Sequence, residues 1–218
     1  MSNKILFDLI LTATGETLYM SFSATFLAAI FGILLGVILF VTRKGQFLEN
    51  KYINLPLGII VNIGRSIPFI ILVVIIIPFT AFIAGKSYGN TAAIIPLTVS
   101  AIPFFARLTE NVLLEVPQGL IEAAQAMGAS PLQIIYKVLL PEAKPGLVNA
   151  VTVTAIALIG YSAMAGMLGA GGLGNVAIVH GYQQWNNAIM FYTVAVIVVI
   201  VQSVQTFGDW LSKKLNHK

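Results

Sequence analysis

The segment Gly119–Pro145 reads GLIEAAQAMGASPLQIIYKVLLPEAKP and is the only long polar interruption in an otherwise strongly apolar chain. Of the 218 residues, 58% are hydrophobic and only 9% are charged, and the mean hydropathy is +0.92. A soluble domain usually carries about 25% charged residues, and a soluble fold of this length has too little interior to hide so much apolar surface. The composition therefore predicts a membrane protein with one polar segment held between its spans.

Apolar stretches on both sides of this segment are candidate membrane helices, because a helix needs about 20 apolar residues to cross about 30 Å of hydrocarbon. The predicted spans are Leu18–Val41, Pro56–Ala84, Thr91–Ala106, Leu147–Leu168 and Ala188–Phe207. The sequence thus predicts an all-α integral membrane protein with five transmembrane helices in one domain, residues 1–218. Ser2–Thr14 is expected to be an interfacial amphipathic piece rather than a cleavable signal peptide.

The positions of lysine and arginine predict the orientation, since cytoplasmic loops carry an excess of both. With five spans, nine basic residues fall on one side: Arg43, Lys44, Lys51, Arg107, Lys137, Lys144, Lys213, Lys214 and Lys218. Only Lys4 and Lys86 fall on the other side, which places the amino terminus outside and the carboxyl terminus in the cytoplasm. This asymmetry also accounts for the net charge of +4 without a nucleic-acid partner. Arg65, within the second span, is expected to reach the cytoplasmic surface or to pair with an acid.

Two patterns inside the spans concern helix packing. Ala28, Gly32 and Gly36 recur every four residues and predict a face on which another helix approaches closely, although a glycine-rich helix without a preferred partner would show the same pattern. Prolines interrupt spans two and three at Pro68, Pro78, Pro96 and Pro103. Proline is tolerated in lipid where the freed carbonyl faces protein or a water-filled path. Spans two and three are therefore candidates for lining a path, and simple bending is the alternative.

Two short motifs imitate nucleotide sites. Gly85-Lys86-Ser87 lacks the first glycine of a P-loop, and it follows a membrane span instead of a strand. Gly169–Gly174 satisfies G-x-G-x-x-G but has neither a preceding strand nor an acid downstream at the required spacing, so a flexible outer turn with close backbone approach is expected. His180 and His217 lack ligand partners and the chain has no cysteine. No catalytic residues and no metal site are predicted.

Within Gly119–Pro145 the residues predict two short helices at a sharp angle. Leu120–Met127 contains good helix formers, and Gly128 is suited to the left-handed conformation that ends a helix. Ser130, Pro131 and Gln133 form a capping box with proline at the first helical position, which predicts a second helix over Pro131–Val138. Pro141 and Pro145 are expected to stop that helix before the next span.

The alanines of the first helix keep it slim enough to enter a groove on a soluble partner. They are Ala123, Ala124 and Ala126, and Glu122 offers a charge beside them. The segment is therefore interpreted as a docking element at the cytoplasmic surface. An amphipathic loop resting on lipid headgroups is the alternative.

The same segment resembles the EAA loop of permease subunits of binding-protein-dependent ABC importers. The resemblance rests on Glu122, Ala123, Ala124, Gly128, Val138, Leu140 and Pro141, with Val138 standing where the family usually has isoleucine. Further segments resemble the permease of methionine importers, namely Arg65–Phe69, Gly160–Met164 and Gly169–Gly174. The likeness covers nearly the whole chain.

The resemblance implies a permease that performs no chemistry of its own and binds no cofactor, with ATP and magnesium held by a separate ATPase. It implies a homodimer, two ATPase subunits docked on the coupling loop 119–145, an extracytoplasmic binding protein that delivers methionine and related amino acids, and a bacterial cytoplasmic membrane. The seven residues of the EAA pattern are the expected coupling residues. Ser66, Pro68, Tyr161, Ser162 and Met164 are candidates for the translocation path, although ordinary helix packing explains each of them equally well.

Other functions remain as alternatives. An ABC permease could move another amino acid or small solute. A secondary carrier usually has ionisable residues within its spans, and no Asp or Glu lies inside the five predicted here. A membrane-embedded enzyme would need converging catalytic groups, and a membrane adaptor would share the docking loop but show no ATP-linked flux.

Overall fold

The structure, a computed structural model, describes residues 3–216, with side chains from residue 5 onward, and within this range the chain is helical without a strand. The α-helices are α1 (Asn3–Val41), α2 (Lys51–Ser66), α3 (Phe69–Ile75), α4 (Ile77–Ala84), α5 (Asn90–Leu114), α6 (Gln118–Ala126), α7 (Pro131–Ile134), α8 (Leu140–Glu142), α9 (Lys144–Met167), α10 (Leu173–Asn175) and α11 (Asn187–Leu215). π-helical turns at Ile135–Leu139 and Val176–Tyr182 follow α7 and α10. The all-α prediction is confirmed.

Among the described residues, four helices are long and apolar enough to cross a membrane, and up to five if the bent pair of α2 and α3 counts as one span. They are α1, α5, α9 and α11. The helices α5 and α9 match the predicted spans at their starts within three residues, but α5 continues eight residues beyond Ala106, to Leu114. Glu110 therefore lies inside a spanning helix, contrary to the prediction that no acid does.

The amino-terminal part of α1 differs from the prediction. A separate interfacial piece ending at Thr14 is wrong for the described residues, because the helix runs without a break from Asn3 to Val41. The polar stretch inside it is satisfied within the fold: the Thr14 hydroxyl donates to the Ile10 carbonyl, and Ala13 and Thr17 are buried against other helices. Asp8 and Glu16 consequently lie inside this helix as well. Ser2 lies outside the described residues.

The second predicted span is also not one helix. The α2–α3 pair bends by 102° at Ile67 and Pro68, and α4 begins after a further break at Ile76. Pro68 forces the residue before it into extended backbone, and Ile67 has φ −79° and ψ 120°. The sequence predicted an interruption at Pro68, and the structure shows that it is a bend of 102° between two separate helices.

Packing of α1 along α5 forms the centre of the protomer, and α9 lies against both of them. Gly32 and Gly36 are buried where α5 passes, and a Cβ added at Gly32 would lie 2.8 Å from the Cβ of Phe105. Ala28 is fully buried in the same stripe. The predicted small-residue contact is confirmed, and its partner is α5.

The chain reversals collect at two ends of the bundle. We call one the basic end; it comprises segments 42–50 and 115–143 and the last turn of α11. The described basic residues in these segments or within about two helical turns of them are Arg43, Lys44, Lys51, Arg107, Lys137, Lys144, Lys213 and Lys214. The opposite end comprises segments 85–89 and 168–186, joined by a hydrogen bond from the Gly89 amide to the Gly169 carbonyl at 3.0 Å.

Candidate functional site

The first helix of the polar segment forms as the sequence predicts. It is α6, and it ends where Gly128 adopts a φ of +77°, the left-handed conformation expected there. The Gly128 amide donates to the Gln125 carbonyl at 2.9 Å, and the Ala129 amide donates to the Ala124 carbonyl at 3.0 Å. These bonds satisfy the carbonyls that a helix end leaves free.

The predicted capping box at the next helix is confirmed. The Ser130 amide donates to Oε1 of Gln133 at 2.8 Å, and the Gln133 amide donates to Oγ of Ser130 at 3.4 Å. Pro131 occupies the first helical position, where its missing N–H costs nothing. Gly128 and this cap together fix the angle between α6 and α7.

The end of the second helix is not where the sequence predicts it. The chain passes from α7 through the π-helical turn Ile135–Leu139 into α8, and after Ala143 into α9. The Ala143 amide donates to the Leu139 carbonyl at 2.9 Å, so helical hydrogen bonding continues past Pro141. A wider π turn accommodates a proline because the ring needs no donor at the start of the next α-helical turn. Pro141 and Pro145 therefore redirect the chain and do not stop it.

One face of this segment holds it to the bundle. Ile121, Ile134 and Leu139 are buried in a cluster with Val37, Phe40 and Val41 of α1, Leu113 of α5, and Val116 just after α5. Ala124 belongs to the same cluster and is buried, so it contacts the bundle instead of a partner. Half-buried Val138 and Leu140 pack against its edge. These contacts would transmit a displacement of α6 directly to α1 and α5.

The outer face of the same segment is exposed and largely apolar. We call it the coupling face; it comprises Leu120, Glu122, Ala123, Met127, Leu132 and Tyr136. Met127 is 81% exposed and Tyr136 67% exposed, which is unusual for side chains of this size in a protein that folds without a partner there. Two short helices that present apolar side chains beside a carboxylate suit insertion into a groove of a soluble protein.

A charged cluster behind the coupling segment was missed by the sequence reading. Glu110 of α5 is buried, bonds to Arg107, and lies 3.9 Å from the guanidinium of Arg43 just after α1. Arg107 also donates to Oδ1 of Asn62 on α2 at 2.7 Å. The cluster therefore joins α1, α2 and α5 at the basic end. The spacing of Arg107 and Glu110 on one helix face was the only signal in the sequence.

Removal of the Glu110 carboxylate should loosen this end of the bundle. We expect Glu110→Ala to lower the free energy of unfolding by about 1–3 kcal/mol, the range for losing a charge-assisted hydrogen bond and leaving its partner unsatisfied. The midpoint of thermal unfolding of the purified protein measures this. Glu115→Ala is the matched control, because Glu115 is exposed just beyond the end of the same helix. Equal midpoints for the two variants would contradict the role of the cluster.

The predicted path residues do not all share one surface. Tyr161 and Met164 are exposed on one face of α9, and Ser66 and Pro68 are exposed at the break between α2 and α3. Ser162 differs, since it is 2% exposed and its hydroxyl donates to the Ile159 carbonyl. Its side chain lies inside the protomer, one helix face away from Tyr161, and this position is a correction to the prediction. Phe69 was not among the predicted path residues, but its ring stacks on that of Tyr161, with the centroids 5.0 Å apart.

Of the two outcomes expected for Arg65, pairing with an acid does not occur among the described residues, and reaching the cytoplasmic surface stays a prediction. Its side chain is exposed in the protomer. The two ion pairs within the described part of the chain join Glu110 to Arg43 and to Arg107, and Arg65 takes part in neither. Arg65 lines a pocket of about 260 Å³ together with Phe69, Ser100 and Tyr161. These four residues come from four different helices, α2, α3, α5 and α9.

At the opposite end, the glycine-rich turn is held by side chains from distant helices. The amide of Gly171 donates to Oδ1 of Asn90, and that of Gly172 donates to Oε2 of Glu16, each at 2.7 Å. The Leu173 amide donates to Oγ1 of Thr17 at 2.9 Å. The expected close backbone approach is confirmed, since an added Cβ at Gly172 would meet the Thr17 hydroxyl at 2.7 Å. These three bonds replace the flexible turn of the prediction with an anchored one.

Comparison with known proteins identifies the family to which this chain belongs and two of its relatives. A family model described as "Binding-protein-dependent transport system inner membrane component" matches residues 28–218. A probable D-methionine transport system permease protein MetI of Vibrio cholerae is 56% identical over 97% of this chain and 94% of its own length. Its counterpart in Pasteurella multocida is 51% identical over 98% of both chains.

Solved structures agree with this placement. A chain of the MetNI methionine ABC transporter in an inward-facing conformation is 50% identical, covers 100% of both chains and superposes with a TM-score of 0.97. A chain of an amino acid ABC transporter crystallised with histidines is 17% identical and covers 95% of this chain with a TM-score of 0.78, which shows the common fold alone.

Proposed function

This chain belongs to the family of binding-protein-dependent transport system inner membrane components, and on that premise we propose that it is the permease subunit of an ATP-driven importer of methionine and related amino acids. The observation that carries the proposal is the relationship to D-methionine permeases, 56% and 51% identical over nearly the full chain. A superposition over the whole length of a methionine ABC transporter chain supports it. The permease itself is not an enzyme, since ATP hydrolysis belongs to a separate subunit.

The proposed complex contains two copies of this chain, two ATPase subunits and an extracytoplasmic binding protein. The chain crosses the cytoplasmic membrane five times, with α2, α3 and α4 together forming the second crossing. The basic end faces the cytoplasm, because the described lysines and arginines concentrate there. ATP and magnesium bind to the ATPase, and the permease needs no cofactor.

Coupling is proposed to run through the coupling face. The proposed coupling residues are Glu122, Ala123, Ala124, Gly128, Val138, Leu140 and Pro141. Glu122 and Ala123 belong to the coupling face, whereas Ala124, Val138 and Leu140 pack against the bundle behind it. ATP binding closes the two ATPase subunits, which displaces α6 and α7, and the buried cluster behind them carries the displacement to α1 and α5. The bundle then changes between inward-facing and outward-facing arrangements as a two-state rearrangement. Ser66, Pro68, Tyr161 and Met164 are proposed to border the path between the two copies.

Uptake of labelled methionine tests the function directly. Cells with the gene should accumulate methionine, and a deletion strain without another methionine route should lose this uptake. A panel of unlabelled amino acids should compete only when it contains methionine or close analogues. Undiminished uptake in the deletion strain would remove the methionine assignment, and competition by an unrelated amino acid would assign that amino acid as the cargo.

A further inference from the structure

The break between α2 and α3 opens a pocket with one charged side chain. The pocket has a volume of about 260 Å³ and lies between α2, α3, α5 and α9. Arg65 provides the charge, Ser100, Thr154 and Tyr161 are the hydroxyl residues of its lining, and the ring of Phe69 stacks on that of Tyr161. A cationic group and an aromatic wall thus share one small space.

The pocket lies away from the basic end of the bundle. Along the helix axes, Arg65 is about 21 Å from the first residue of α2, and Ser100 is about 21 Å from the last residue of α5, at a rise of 1.5 Å per residue. On α9, Thr154 and Tyr161 are about 15 and 26 Å from the first residue. Since all three helices start or end at the basic end, these lengths place the pocket well away from that end and within the depth of a hydrocarbon layer about 30 Å thick.

Arg65 has no partner for its charge within the described residues. It takes part in neither of the two ion pairs and in none of the side-chain hydrogen bonds. The nearby arginine Arg107 differs, because Glu110 and Asn62 occupy its guanidinium. An arginine at this depth is costly unless it faces a polar ligand or a water-filled cavity, and such residues mark substrate paths.

The chemistry of the pocket fits an amino acid with an apolar side chain. A guanidinium presents a planar pair of donors that matches a carboxylate. The last turn of α2 lines the pocket through Gly64 and Arg65, with Ile67 just beyond it. This turn has carbonyls without intrahelical donors, and these suit a substrate ammonium group. The stacked rings of Phe69 and Tyr161 offer an apolar wall with which a thioether sulfur makes favourable contacts.

We propose that Arg65 binds the α-carboxylate of the transported amino acid in a subsite within the membrane, with its side chain against Phe69 and Tyr161. This proposal rests on the proposed function. It makes the permease itself a second point of selection, after the binding protein, for substrates that carry a free carboxylate. The subsite would be occupied transiently, because the pocket is open and offers one charged contact only.

The test uses the purified transporter, with its ATPase subunits, reconstituted in lipid vesicles. Diazirine-bearing photo-methionine is added without nucleotide and without binding protein, so the carboxylate preference of the binding protein plays no part. We expect crosslinks in the peptides that contain Phe69 and Tyr161. Methionine should suppress them, and methionine amide should not.

Variants separate a binding role from a structural one. Arg65→Ala should lose the crosslinks and reduce methionine uptake by about tenfold or more, as expected for a lost charge-assisted contact. Arg65→Lys should retain an intermediate rate, and both variants should keep the thermal unfolding midpoint. Lys51→Ala is the control, because it removes an exposed charge from the start of the same helix without touching the pocket.

Methionine uptake by the unmodified transporter is measured first, and its absence would overturn the proposed function. With that uptake present, the carboxylate subsite is overturned by any of three results. They are undiminished uptake by Arg65→Ala, crosslinks that persist in Arg65→Ala, and lost uptake without any crosslinking of the pocket in the unmodified protein. The last result would assign Arg65 to packing against the second copy.

Discussion

Gly128→Val is expected to abolish most methionine uptake while the permease remains folded and assembled with its ATPase subunits. Gly128 has a φ of +77°, a conformation that a β-branched residue avoids. The strain of about 1–3 kcal/mol would be relieved by rotation of the backbone, so the native angle between α6 and α7 would lose about tenfold or more of its population. An added Cβ would meet no atom within 4 Å, so the effect comes from the backbone and not from a clash.

Two controls isolate this effect. Gly128→Asn should retain most uptake, because asparagine tolerates the left-handed conformation far better than valine. Gly119→Ala should also be mild, since Gly119 lies in α6 with open space around it and an ordinary φ. The measurements are methionine uptake and the ATPase rate of the same vesicles. Uptake by Gly128→Val at the level of Gly119→Ala would refute the coupling role of this turn.

Gly36→Ala is expected to destabilise the bundle strongly, although it adds a single methyl group. The new Cβ would lie 2.5 Å from the Cβ of Thr109 and 2.6 Å from the carbonyl oxygen of Ala106. Both atoms belong to α5, and one of them is backbone, so α1 and α5 must separate. Overpacking of a close contact costs about 1–3 kcal/mol, and separation along this central interface should place Gly36→Ala at the upper end of that range.

Gly15→Ala on the same helix is the matched control. No atom lies within 4 Å of a Cβ at Gly15, and alanine is favoured over glycine in a helix by up to about 1 kcal/mol. Gly15→Ala should therefore leave the thermal midpoint unchanged or raise it, whereas Gly36→Ala should lower it and reduce the yield of assembled protein. A midpoint for Gly36→Ala that matches that of Gly15→Ala would show that α1 and α5 are less tightly joined than described.

Local sequence patterns predicted the coupling segment well. The left-handed turn at Gly128 and the reciprocal bonds of Ser130 and Gln133 depend on residues within four positions of one another, so local preferences decide them. The same reasoning failed at Pro141. Whether a proline stops a helix depends on the hydrogen bonds around it, and here a π-helical turn and the bond from Ala143 to Leu139 carry the helix onward.

Span boundaries failed for a related reason. A hydropathy threshold excludes polar residues. The predicted third span therefore ended before Arg107, although α5 continues to Leu114, and the predicted first span began after Glu16. In the fold, Glu110 is neutralised by two arginines, and Glu16 accepts a bond from Gly172. Arg107 is three residues before Glu110 on the same helix, but Arg43 lies just after α1 and Gly172 lies in a glycine-rich turn more than 150 residues from Glu16. No local pattern indicates these two distant partners.

Composition and local pattern by themselves determined the membrane class, the all-α fold, the small-residue face of α1 and the two helices of the coupling segment. Each follows from solvent transfer of apolar residues or from hydrogen bonds between near neighbours. The tertiary structure alone decided which helix packs on the small-residue face of α1, how far Pro68 bends the second span, that Ser162 is buried, and that Arg65 lines one pocket with Phe69 and Tyr161. Those features depend on contacts between residues far apart in the chain, and only the packed bundle brings them together.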